Sequence, residues 1–233
     1  MHRKDVNDRS PLRLLEASIH GGLGKGNLGV VIARPGVGKS AFLVDIALDD
    51  LMRGKNVLHV SLEHAVSRVC DYYDEIFAEL VHTQHLDDPW RVRVDIERNR
   101  RIHSHLDGNF TPANLEEAVR FMREYGEFVP AAIIVDGLDF ETTPAGMFTE
   151  LRRIAKAADS ELWMSAVTRR DAPRNERGIP EPVSRFEDLL DVILVMAHDG
   201  SAVHVTLHKD HDNAEVSELK LALDPTTMLI VQE

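Results

Sequence analysis

One cysteine, Cys70, is all the chain contains, so an intrachain disulfide is excluded and a reducing compartment is the natural setting. Long hydrophobic runs are also missing. The longest, residues 28–33, 131–135 and 192–197, fall far short of the ~20 residues that span a bilayer. The opening Met1-His2-Arg3-Lys4-Asp5 leads into polar sequence and not into the apolar core of a signal peptide. Together these absences describe a soluble cytoplasmic protein with no membrane partner. Basic residues are scarce: 27 Lys and Arg stand against 39 Asp and Glu, a net charge of −12. So acidic a surface excludes general affinity for nucleic acid, which rests on Lys and Arg, but leaves room for a local basic groove. Repeats, low-complexity stretches and linkers are absent too. The 233 residues therefore read as one domain, with residues 1–11 a flexible N-terminal segment.

What is there alternates between strand and helix. Residues 28–33 are a short run rich in β-branched side chains, and from Lys39 the apolar positions Phe42, Leu43, Ile46, Ala47 and Met52 recur at helical spacing up to Gly54. Strands are predicted at 56–62, 103–106, 131–135 and 162–167, and helices at 65–82 and 147–158. Thr111-Pro112 opens a further helix, Thr111 as its cap and Pro112 in its first turn. The tail changes style, with strands at 192–196, 202–207, 218–223 and 228–231 joined by tight turns. Repeated strand–helix units predict an α/β fold: a mostly parallel central sheet flanked by helices, with antiparallel C-terminal strands. Two stretches are locally basic. Residues 91–101 read as a solvated or interface helix, and 168–186, broken by Pro173, Gly178, Pro180 and Pro182, as a loop.

Between the first strand and the first long helix stands Ala33-Arg34-Pro35-Gly36-Val37-Gly38-Lys39-Ser40-Ala41, a phosphate-binding loop with Ala in the first glycine position. Gly36 and Gly38 allow backbone angles that turn successive N–H groups toward a phosphate. The helix N-terminus adds positive potential. Lys39 supplies a point charge for the β and γ phosphates and Ser40 a hydroxyl ligand for Mg2+. Asp136, at the end of an apolar strand, is the second Mg2+-organising acid, expected on a neighbouring strand. Asp139 reads as a loop carboxylate. Glu63, after the strand that follows the helix, is the candidate to position and deprotonate water, provided its strand adjoins the first. Tyr72 or Tyr73 faces either an adenine or the core. The close histidine pairs His82/His85, His103/His105 and His208/His211 lack the cysteine or carboxylate partners of a structural metal site.

These residues together resemble the RecA-like ATPase superfamily, and within it the DnaB-type helicase core and the KaiC-like ATPases. The glycine-rich His20 to Leu28 lead-in, Ala33-Arg34-Pro35 with Gly38-Lys39, and Ser61-Leu62-Glu63 carry the DnaB flavour; Phe110-Thr111-Pro112 and the Asp136 strand are similar to both. The resemblance implies ATP and Mg2+ as ligands, ADP as product, and a homo-oligomeric ring, a hexamer being favoured, with ATP between subunits. It implies a Lys-x-Arg pair reaching the neighbour's γ-phosphate, here Lys209-Asp210-His211, with histidine where the arginine stands. It also implies a phosphate-sensing Gln after the 162–167 strand, where this chain has Ala166 or a neighbour. The chain has no room for the extra N-terminal domain of the replicative helicases.

Three functions remain open at this level. The first is a Mg2+-dependent ATPase acting as a ring motor or regulatory ATPase. The second is a weakly hydrolysing nucleotide switch or scaffold, favoured by His211 and Ala166. The third is a small DNA-dependent motor, in which Arg169, Arg170, Arg174 and Arg177 of the long loop grip a polyanion. The alternative for that loop is a surface segment whose arginines are salt-bridged.

Overall fold

The computed structural model describes residues 1–106, 108–200 and 202–233. Along the chain these form α1 (Arg3–Asp8), α2 (Leu12–Ser18), β1 (Leu28–Ala33), α3 (Lys39–Met52), β2 (Val57–Ser61), α4 (Val66–Gln84), α5 (Pro89–Asn99) and β3 (Arg100–Ser104). There follow α6 (Pro112–Gly126), β4 (Ala132–Asp136), α7 (Ala145–Ala158), β5 (Glu161–Val167), a 3-10 helix (Val183–Leu189), β6 (Val192–His198), β7 (Val203–Asp210), β8 (Leu221–Leu223) and β9 (Ile230–Gln232). The strands make one nine-stranded sheet in the order β3-β2-β4-β5-β1-β6-β7-β8-β9. The stretch from β3 to β6 is parallel and the rest antiparallel, as the sequence pattern predicts.

The parallel strands are apolar on both sides because both sides are covered. Val31 and Ala33 of β1 face the core shared with α3, α4 and α5, while Leu28, Val30 and Ile32 face the one built with α6 and α7. α3 lies between the sheet and the α1, α4 and α5 layer, so nearly all of its residues are buried. Thr111 caps α6, its hydroxyl accepting from the Asn114 N–H at 3.2 Å.

Two expectations shift. Residues 1–11, read as flexible, carry a docked helix. Arg3 donates to Leu51 O at 2.7 Å and Asn7 to Met52 O at 2.8 Å, satisfying carbonyls that the end of α3 leaves open, and Val6 is buried. The strand expected at 103–106 is β3, three residues earlier. It is a half-buried edge strand with no apolar run to locate it.

Candidate nucleotide-binding site

All the parallel strands end on the same side, and β1 delivers the glycine loop there. Gly36 and Gly38 have φ of +76° and +105°, in the left-handed region that glycine tolerates best. Nothing lies within 4 Å of a Cβ placed on Gly36, so the loop is an open cradle; one on Gly38 would meet Leu223 Cδ2 at 2.5 Å. Lys39 and Ser40 follow as the first residues of α3, and Ala41 packs beneath. Burial pulls the Lys39 ammonium below its ordinary value, while the carboxylates of Glu63 and Asp136 push it back up. The three groups thus share one electrostatic neighbourhood.

The acids arrive by a different route from the one the sequence suggested. β5 lies between β1 and β4, and β2 lies beyond β4, so neither acid is on a strand adjoining β1. They still reach the cleft because parallel strands align their carboxyl ends: Ser61 is in register with Asp136. Asp136 is 2% exposed and accepts from the Ser165 hydroxyl of the intervening β5 at 2.6 Å, while Ser165 Oγ accepts the Gly137 N–H at 2.8 Å. Glu63, exposed, leans on Gly137, where a Cβ would sit 2.5 Å from Glu63 Cγ. Ser165 and Gly137 went unnoticed in the sequence. A glycine directly after a strand-terminal aspartate was the signal for the second; a serine in an apolar strand gave none for the first. Asp139 is occupied in its own turn, accepting from Glu141 N at 2.9 Å and Thr142 Oγ1 at 2.8 Å.

A cleft of about 930 Å³ runs from Gly36, Lys39 and Ser40 past Glu63 to Tyr72 and Met228. Of the two tyrosines, Tyr73 is core, its hydroxyl 3.1 Å from His59 Nδ1, and Tyr72 lines the cleft with the Arg68 guanidinium 4.4 Å from its ring centroid. The far wall, Thr226-Thr227-Met228 of the β8–β9 turn, was also unforeseen, because a turn 190 residues downstream carries no phosphate motif. At the end of β5, Ala166 is buried in the core beneath the sheet, and Val167, 40% exposed, is the residue facing the cleft.

The long loop divides. Arg169 and Arg170 line a second cavity of about 930 Å³ together with Arg34, Pro35, Val37 and His198. Arg174 and Arg177 are elsewhere: Arg174 donates to Gly178 O at 2.7 Å, and Arg177 pairs with Glu187 at 3.1 Å. In α5, Arg93 pairs with Asp74 at 2.8 Å and with Glu97 at 3.2 Å, as a solvated helix would.

Lys209 and His211 stand at the opposite end of the sheet, since β7 runs against β6 and Asp210 pairs with Val192. Neither projects. Lys209 is 9% exposed and donates to Glu187 O at 2.7 Å. His211 has Nδ1 2.7 Å from Asp210 Oδ1 and Nε2 2.9 Å from Leu23 O. Among the described residues no group of three or more His, Cys, Asp or Glu is placed to hold a metal ion, and no helix is long and apolar enough to cross a membrane.

No protein-family model matches the chain. In sequence it is similar to a DnaB-like replicative helicase of Enterobacteria phage T4, 27% identical over 181 residues that cover 66% of this chain and 38% of that protein. The chain thus spans well under half the length of that relative. In structure it is similar to the solved ATPase domain of another DnaB-like helicase, with a TM-score of 0.72 at 15% identity, covering 96% of this chain and 90% of that one.

Proposed function

We propose that this chain, whose fold is that of a RecA-like P-loop ATPase domain of the DnaB-like branch, binds ATP with Mg2+ and hydrolyses it. The observation that carries this is the convergence of Lys39, Asp136 and Glu63 on one cleft from three separate elements. The open cradle at Gly36 and the helix start at Lys39 fit a phosphate chain. Ser40 and Asp136 are the residues that would hold Mg2+, the hydroxyl and carboxylate being its ordinary ligands. The bound ion neutralises phosphate charge. Ser165 keeps the Asp136 carboxylate turned to one rotamer. Lys39 attracts the β and γ phosphates. Glu63 accepts the proton of the attacking water as the new O–P bond forms, and the bond between the β and γ phosphates breaks in line with it. Tyr72 and Met228 flank the outer cleft, where a flat apolar base fits.

Assembly as a homo-oligomeric ring, with a hexamer favoured, belongs to this proposal and is supported by the likeness to the T4 helicase. The trans finger of Lys209 and His211 is not carried with it, because both side chains are held within their own chain. A second reading, a nucleotide switch that hydrolyses slowly, draws on Val167: an apolar side chain at the cleft end of β5 offers a phosphate no hydrogen bond. Calorimetric ATP binding and steady-state phosphate release, each with and without Mg2+, separate the two. We expect Mg2+-dependent turnover that Lys39→Ala abolishes. Tight ATP binding with no release would leave only the switch, and equal binding and turnover in Lys39→Ala would remove the site assignment.

A further inference from the structure

We propose that Arg169 supplies the cation for the terminal phosphate from within the same chain, so that the site is completed in cis; this rests on the ATPase reading above. Hydrolysis places charge on the oxygens of the transferred phosphoryl group, and a guanidinium answers that charge with two parallel N–H donors. The cation has to come from somewhere. Lys209 is buried on the Glu187 carbonyl, His211 has an oxygen acceptor at each ring nitrogen, and Arg174 and Arg177 are held by Gly178 O and Glu187.

Arg169 is placed differently. Val167 pairs in register with Ala33, the first residue of the phosphate loop, and the Thr168 N–H donates to Ala33 O at 3.1 Å. The Thr168 hydroxyl donates to Glu181 O at 2.7 Å, pinning the far end of the loop to the same point. Arg169 therefore begins one residue from a fixed attachment to the phosphate loop. Its cavity shares Pro35, Gly36, Val167 and Met228 with the nucleotide cleft, so the two are continuous. The side chain is 85% exposed, and its ion-pair partner is Glu141 at 3.9 Å. That long, solvated pair holds it weakly. Glu141 lies in the segment after Asp136, so Arg169 leans toward the side of the cleft where the two acids stand. Arg170, in the same cavity, has no such orienting partner among the described residues. In the reaction the guanidinium neither gives nor takes a proton. Water oxygen bonds to the γ-phosphorus, its proton passes to Glu63, and ADP leaves with the bond electrons while Arg169 neutralises the oxygens in between.

The test is made without nucleic acid on the full chain. Arg169→Ala should bind ATP as the wild type does, lose affinity for ADP with aluminium fluoride, and turn over about 10³-fold more slowly, the usual scale for such an arginine. Arg169→Lys should recover part of the rate. Mixing Arg169→Ala with Lys39→Ala separates cis from trans, since each variant carries the part that the other lacks. No recovery on mixing is expected. Recovered turnover, unchanged turnover in Arg169→Ala, or an ATP affinity that falls as far as the rate would each overturn the proposal. A wild type that binds ATP and never hydrolyses it overturns the ATPase reading itself, and the cis cation with it.

Discussion

Asp136 shows how much of a site one uncharged neighbour can decide. Its carboxylate is buried, and the Ser165 hydroxyl across the intervening strand fixes which oxygen is left for other partners. We expect Ser165→Ala to leave the fold intact and to weaken the Mg2+ dependence of turnover about tenfold, a loss of about 1.4 kcal/mol, within the range of a hydrogen bond to a charged group. A Mg2+ titration of the rate checks this, and an unshifted midpoint would make Ser165 a core filler. Glu63→Gln keeps the shape and removes the base, so ATP binding should survive while turnover falls by about 10² or more. If the two proteins turn over alike, Glu63 is a strand-end acid and no base. Gly137 works through backbone and space together. Its φ of +92° and the Glu63 side chain 2.5 Å from a Cβ there leave no room for alanine without moving the base.

At the scale of elements, the ends of the sheet do different work. The carboxyl ends of β1, β2, β4 and β5 make the cleft, while the opposite end of β7 makes a clasp. There the buried Asp210 faces His20 Nδ1 at 2.6 Å, His211 Nδ1 at 2.7 Å and the Asn213 amide at 2.7 Å. His211 also meets Leu23 O at 2.9 Å, so with both bonds made its ring is the imidazolium. Burial acts against that charge, but the hydrogen bonds to Leu23 and Asp210, with the charges of Asp210 and Asp191, raise the His211 pKa above its ordinary 6.5. For Asp210, burial acts upward and the bonds from His211, His20 and Asn213 prevail, lowering it below 3.8. A raised imidazole stabilises the fold below 6.5 and loses that contribution as pH rises through its folded value. A lowered carboxylate stabilises it above 3.8 and loses that contribution as pH falls. The stability gap between wild type and His211→Gln, measured by urea melts, should therefore be widest between pH 3.8 and 6.5 and narrow above. A gap that widens toward alkaline pH would refute the charged clasp.

For the whole molecule, the acidic surface and the divided loop set what a polyanion can touch. Arg169 and Arg170 open toward the cleft, whereas Arg174 and Arg177 are spent on the loop itself. If the chain acts on single-stranded DNA, removing Arg169 and Arg170 together should lower the slope of log affinity against log salt by about 1.4, since each single-strand phosphate contact contributes about 0.7. Replacing Arg174 and Arg177 should change that slope little. Absence of binding at low salt would end the nucleic-acid reading and leave the salt-bridged loop. Mass in solution, measured by sedimentation with and without ATP, tests the ring. Turnover per chain that holds constant on dilution below the assembly point is what a cis-completed site requires.

The sequence alone determined the elements and the chemistry that local order encodes. Two glycines before Lys39-Ser40, an apolar run ending in Asp136, and Thr111-Pro112 are each legible because the chain geometry they impose spans only a few residues. The strand positions were legible for the same reason, except β3, whose half-exposed edge breaks the apolar pattern. What only the tertiary structure decided is everything that depends on strand order. It put β5 between β1 and β4, which made Ser165 the partner of Asp136; it carried the β8–β9 turn back over the glycine loop; and it turned Val167, not Ala166, toward the cleft. It also sent Lys209 and His211 to the far end of the sheet, because an antiparallel strand reverses direction and takes its last residues away from the phosphate loop. Pairing between strands is set by packing across more than a hundred residues, and no local pattern carries it.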